Sequence, residues 1–149
     1  MNLLSLLSAI LAAIAGALMA VQGSLNSSLG KLIGVMRATF FVHVIGALVA
    51  AILLVLPFLR EPQQRALRDI PWYLYLGGVI GVGIIYLVVV SISRLGVAVA
   101  TTLIILGQVG TALIIDEAGA FGLQRVPFTW LKGLGLVLLA AGAGLLLKK

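Results

Sequence analysis

Apolar residues run in five long blocks along the chain, and polar residues mark the breaks between the blocks. A transmembrane helix needs about 20 mostly apolar residues, because each residue advances about 1.5 Å across roughly 30 Å of hydrocarbon. The pattern therefore predicts five membrane-spanning helices, at about residues 3–22, 38–59, 72–91, 95–115 and 128–147. The longest polar connection, residues 60–69, is too short to separate domains. We expect one transmembrane domain over residues 1–149.

Composition makes this an all-α integral membrane protein. The chain is 62% hydrophobic and 9% charged, whereas a soluble domain carries about 25% charged residues. Its net charge of +6 does not indicate a nucleic-acid partner, since the Lys and Arg residues lie in short loops and at helix ends, where they meet lipid headgroups. No Lys or Arg precedes the first apolar run, so we expect a retained span rather than a cleaved signal peptide.

The basic residues do not favour either orientation of the chain in the membrane. Five spans place the termini on opposite sides, and the loops and ends on each side carry five of the ten Lys and Arg residues. Orientation follows the difference in Lys and Arg between the two sides, and here there is none. We predict dual topology and an antiparallel homodimer; the alternative is a fixed orientation set by another signal.

Uncharged polar residues at membrane depth are the first candidates for a substrate site. Gln108 lies near the middle of span four, and Thr101, seven residues earlier, falls on nearly the same helix face. Gln22 and Asn26 share a face if span one continues through them. We interpret all four as substrate-binding candidates. The alternatives are an interhelical hydrogen bond for Gln108 and a polar surface turn that ends span one at Asn26.

Two ionisable residues are further candidates. His43 lies inside span two and can change charge near neutral pH, so it is either a substrate-binding residue or a neutral histidine bonded to a neighbouring helix. Asp116, at the end of span four, is a candidate for proton or ion coupling; the alternative is an interfacial carboxylate paired with Arg125 or Arg94. We expect Glu117 to be an interfacial carboxylate paired with Arg125 or Arg94.

Small residues in span three, Gly77, Gly78 and Gly81, are predicted to pack helices, because glycine lets two helix backbones approach closely. Enzyme templates are absent: the sequence has no nucleophile with a suitably spaced base, no phosphate-binding loop and no metal-ligand cluster. We therefore expect neither catalysis nor a cofactor or metal. The chain also has no cysteine.

Several short motifs together resemble the YdcZ-like family of inner-membrane exporters, within the drug/metabolite transporter superfamily. The resemblance extends over essentially the whole chain. The motifs are Gln22-Gly23-Ser24-Leu25-Asn26, Gly77-Gly78, Leu95-Gly96, Gly107-Gln108, and Asp116 followed by Gly119, Phe121 and Gly122.

This resemblance implies a bundle typical of drug/metabolite transporters, completed as a dimer, in a bacterial inner membrane. It also implies a distant similarity to small multidrug resistance exporters, which exchange protons for cations at a carboxylate in their first span. The predicted first span here, Leu3–Gln22, contains no acid. That mechanism is therefore not carried over.

The sequence favours a secondary transporter that exports a small metabolite by alternating access at a dimer interface. Two other classes fit a small polytopic protein. One is a passive channel or lipid-handling protein, and the other is a non-transporting membrane subunit. Nothing in the sequence names the substrate.

Overall fold

The computed structural model describes residues 3–56 and 70–147, and in that part of the chain five helices are long and apolar enough to cross a membrane. They are α1 (Leu3–Ile33), α2 (Val35–Val55), α3 (Leu76–Leu95), α4 (Val97–Ala118) and α5 (Trp130–Leu147). A 3₁₀ turn at Trp72–Tyr75 leads into α3, and another at Ala120–Gly122 follows α4. The prediction of an all-helical membrane protein with five spans is confirmed.

Helix α1 is longer than the sequence pattern predicts. Its 31 residues would extend about 46 Å at about 1.5 Å per residue, beyond the predicted end at Gln22 and beyond the continuation through Asn26 that the sequence left open. Helix α2 begins at Val35 rather than Ala38, and its predicted last residues, 57–59, lie outside the described part of the chain. Helices α4 and α5 each begin two residues later than expected, and α4 continues to Ala118.

Residue contacts divide the chain into two compact units, Met1–Val90 and Ser91–Lys149. In the first unit α1 packs against α2, and the buried residues of these two helices are small: Gly23, Asn26, Ser27 and Gly30 on α1, and Ala38 and Thr39 on α2. Gly30 also approaches α3, where a Cβ atom at position 30 would lie 2.8 Å from Val89 Cγ1. Small residues therefore permit this packing, as expected when lipid offers no hydrophobic driving force.

In the second unit α4 packs against α5, and the buried apolar residues are Ile92, Ala100 and Ala143. Most large apolar side chains of both units are exposed, which is the expected state of a surface that meets lipid. Whether the two units form the single predicted domain stays a prediction.

A single glycine joins α1 to α2. Gly34 has φ 89°, a left-handed value that ends one helix, while its neighbours keep helical hydrogen bonds. The Gly34 N–H donates to the Gly30 carbonyl at 2.9 Å, and the Ala38 N–H donates to the Gly34 carbonyl at 3.0 Å. The predicted loop of residues 23–37 is thus a one-residue joint between two helices.

The same joint recurs between α3 and α4. Gly96 has φ 82°; its N–H donates to the Ile92 carbonyl at 3.0 Å, and its carbonyl accepts from Ala100 N–H at 3.1 Å. Both joints begin Gly-Val-x-x-Ala-Thr, at residues 34–39 and 96–101. The alanine of each is buried, with 0% of the surface of Ala38 and 1% of that of Ala100 accessible. The α1–α2 and α3–α4 pairs therefore share a repeated helix–glycine–helix joint.

Candidate functional site

Gln22 and Asn26 lie on one face of α1, because the helix continues through both residues. Together with Leu18, Met19, Val21 and Leu25 they line a shallow groove of about 410 Å³. The Gln22 side chain is exposed, whereas Asn26 keeps only 7% of its surface accessible. The polar group that this groove offers to a ligand or a second protein chain is therefore mainly the Gln22 amide. The alternative in which Asn26 ends the helix is wrong.

His43 is held by its own helix and faces α3. Its Nδ1 is 2.8 Å from the Thr39 carbonyl oxygen, and since a carbonyl only accepts, Nδ1 carries the proton. A Cβ atom built at Gly81 would lie 3.5 Å from Nε2, so Nε2 is the atom that meets α3. The sequence left open a hydrogen bond between His43 and a neighbouring helix. The Nδ1 bond is not of that kind, because Thr39 lies on the same helix as His43. A substrate role for His43 stays a prediction.

The predicted packing glycines of α3 differ from one another in their surroundings. Gly81 faces His43, while a Cβ atom at Gly77 or Gly78 would meet no described atom within 4 Å. Gly77 and Gly78 therefore make no close helix contact among the described residues. Their packing role stays a prediction.

Gln108 lies on an exposed face of α4. Its side chain is exposed, and no described residue forms a hydrogen bond with it. Gln108 does not line the groove between α4 and α5; at about 100° per residue it lies about 160° around the helix axis from groove residue Gly110 and about 60° from groove residue Thr111. Thr101, half-buried, shares the Gln108 face. Convergence of Gln108 with Gln22 and Asn26 stays a prediction.

The α4–α5 connection is folded around Glu117. The carboxylate of Glu117 forms an ion pair with Arg125 and accepts a hydrogen bond from the Phe128 N–H. The guanidinium of Arg125 also donates from Nε to the Glu117 carbonyl at 2.8 Å. The expected interfacial ion pair is confirmed, with Arg125 as the partner.

The backbone of Asp116 anchors the same connection. Its carbonyl oxygen accepts from Gly119 N–H at 3.3 Å and from Val126 N–H at 2.9 Å, and the turn between them holds Phe121 at φ 59°. The Asp116 carboxylate, half-buried, has no ion-pair or hydrogen-bond partner among the described residues. The motif Asp116…Gly119-x-Phe121-Gly122 thus has a clear structural role, and ion coupling by Asp116 stays a prediction.

A family comparison completes this description. The family model described as "Putative inner membrane exporter, YdcZ" matches residues 7–145. The chain belongs to the YdcZ family. No curated protein and no solved structure matched this chain. Together with the five apolar helices, membership places this YdcZ-family chain in the inner membrane and in a family described as exporters.

Sequence reasoning missed two features of this YdcZ-family chain. The glycine joints could have been recognised in the sequence, because Gly-Val-x-x-Ala-Thr occurs twice, each time two or three residues after a basic residue, Lys31 or Arg94. The sequence gives no comparable sign of the groove between α4 and α5, because glycines such as Gly107 and Gly110 are common in membrane helices.

Proposed function

We propose that this protein is a secondary transporter that exports a small polar metabolite across the inner membrane as an antiparallel homodimer. The observation that carries the proposal is the exposed face of α4 at Gln108, an amide inside a membrane-spanning helix that has no hydrogen-bond partner among the described residues. A polar group left unsatisfied in hydrocarbon costs several kcal/mol. A second protomer that covers this face removes that cost and encloses a polar cavity.

The exposed amide of Gln22 supports a covering second protomer independently of Gln108. The Gln22 side chain is exposed on α1 and shares a groove with Asn26. Many transporters place their substrate near the bilayer midplane between two repeats of inverted topology. One protomer with five spans supplies one such repeat, and the equal division of Lys and Arg between the two sides supports insertion in both orientations.

The proposed cavity is lined by groups that recognise an uncharged polar solute. Gln22, Asn26 and Gln108 offer amide donors and acceptors, and Thr101 offers a hydroxyl. His43 would add its Nε2 atom. Asp116 is proposed to handle a proton or cation at the membrane edge, because Glu117 is already neutralised by Arg125.

Counterflow in reconstituted vesicles tests this function. Proteoliposomes are loaded with a bacterial extract of polar metabolites, and mass spectrometry identifies the solute that they lose relative to protein-free vesicles. For a carrier, uptake of that labelled solute saturates and is accelerated by unlabelled solute on the opposite side. Flux that rises linearly with the gradient would instead indicate a channel, and no loss of any solute would favour a lipid-handling protein or a non-transporting subunit.

A further inference from the structure

An apolar groove runs along α4 where it packs against α5. It has a volume of about 690 Å³ and is lined on the α4 side by Gly107, Gly110, Thr111, Leu113, Ile114, Glu117 and Ala118, and beyond α4 by Phe128 and Leu136. A Cβ atom at Gly107 or Gly110 would meet no described atom within 4 Å. The two glycines therefore leave open space along this groove.

The length and position of the groove match one leaflet of a bilayer. From Gly107 to Ala118 it extends about 16 Å at about 1.5 Å per residue, and half of the hydrocarbon core is about 15 Å thick. At the Ala118 end lie the exposed aromatic side chains of Phe128 and Trp130, the residue types typical of the membrane interface. The groove thus runs from the interface toward the midplane.

Two cations flank the interfacial end of the groove. Arg125 binds Glu117 through Nη2 and Nε, which leaves the two Nη1 protons available, and its side chain is 65% exposed. Lys132 donates one Nζ proton to the Pro127 carbonyl at 2.9 Å and keeps two more. Since Glu117 accounts for one negative charge, the groups Glu117, Arg125 and Lys132 together carry a net charge of +1. The neighbouring Asp116 is not among the residues that line the groove.

We propose that this groove binds an anionic phospholipid, with one acyl chain between α4 and α5 and its phosphate on Arg125 and Lys132. Basic pockets between transmembrane helices bind anionic headgroups in this way. A second, inverted copy fits the interfacial end of the groove less well. Both acidic residues of the described chain, Asp116 and Glu117, lie at the end of α4 beside the α4–α5 connection, and the opposite end of α4 follows Arg94, so an inverted α4 would bring a cation and no carboxylate to it.

Native mass spectrometry of the protein extracted from vesicles of equal phosphatidylglycerol and phosphatidylcholine tests this site. The wild-type chain is expected to retain phosphatidylglycerol in preference to phosphatidylcholine. Lys132→Gln should lower that preference about fivefold, the effect of removing one cation from the headgroup region. Lys31→Gln, the same change at the end of α1, should leave it unchanged.

Filling the groove separates the acyl-chain site from the headgroup site. Gly110→Leu, or Gly107→Leu if that variant does not fold, should abolish retention of both lipids. Gly135→Leu is the matched control, because position 135 on α5 is also open but does not line the groove. Equal retention of the two lipids by the wild type, or unchanged retention in the filled variants, would overturn the proposal. So would a change from dimer to monomer in Gly110→Leu with lipid retention intact, since the groove would then hold a second copy.

Discussion

Gln108→Leu is expected to abolish most transport while leaving the fold intact. The Gln108 side chain is exposed in the protomer and has no hydrogen-bond partner among the described residues, so leucine disturbs no packing there. In the enclosed cavity, however, the substitution removes a hydrogen bond to the substrate. A buried polar group left without its partner costs about 1–3 kcal/mol, so we expect a loss of about 5-fold to 160-fold in the rate at low substrate concentration. Counterflow of the identified solute measures this loss.

The chain offers matched glutamines for comparison. Gln22→Leu should reduce counterflow similarly, since Gln22 is also exposed on a membrane helix. Gln124→Leu, the same change in the connection between α4 and α5, should leave it unchanged. Thermal unfolding in detergent should be similar for all three variants. If Gln108→Leu and Gln22→Leu both showed wild-type counterflow, these two amides would not belong to the substrate site.

Substitution of the joint glycines is expected to give the largest loss of stability. Gly96, at φ 82° and ψ 165°, occupies a backbone region that essentially only glycine adopts, and Gly34, at φ 89° and ψ 145°, lies close to it. A side chain there costs about 1–3 kcal/mol. Gly34→Ala and Gly96→Ala should each lower the free energy of unfolding by that amount, as measured by chemical unfolding in detergent micelles.

Gly46→Ala serves as the control for these variants. It lies inside α2, and a Cβ atom there would meet no described atom within 4 Å. Alanine favours a helix over glycine by about 1 kcal/mol, so this variant should be as stable as the wild type or more stable. If the joint variants unfold at the wild-type denaturant concentration, the left-handed glycines are not required and the repeated joint has no structural role.

The number and type of helices could be predicted from the sequence because hydrocarbon imposes one strong requirement. Each span needs a long apolar run whose backbone groups are satisfied within the helix, and such runs are visible without knowledge of tertiary packing. The end of α1 could not be predicted in the same way. Asn26, Ser27 and Gly30 are polar or small residues typical of a turn, yet here they are buried, and packing on α2 and α3 keeps them helical.

The candidate site was only partly predictable for a related reason. Sequence spacing places residues on one face of one helix, which was sufficient for Gln22 with Asn26 and for Thr101 with Gln108. From the sequence, the ion-pair partner of Glu117 could be narrowed to Arg125 or Arg94. The choice of Arg125 depends on the turn at Phe121, which the sequence pattern did not predict. Convergence of polar residues from different helices depends on how protomers assemble, which a single sequence does not encode in any local pattern.

The antiparallel dimer is the central claim, and the orientation of single molecules tests it most directly. Because the chain has no cysteine, one cysteine can be placed near each terminus, as Asn2→Cys or as a residue added after Lys149, and labelled in intact cells with an impermeant maleimide. Dual topology predicts that comparable fractions of the molecules are labelled at the two termini. Complete labelling at one terminus and none at the other would contradict it.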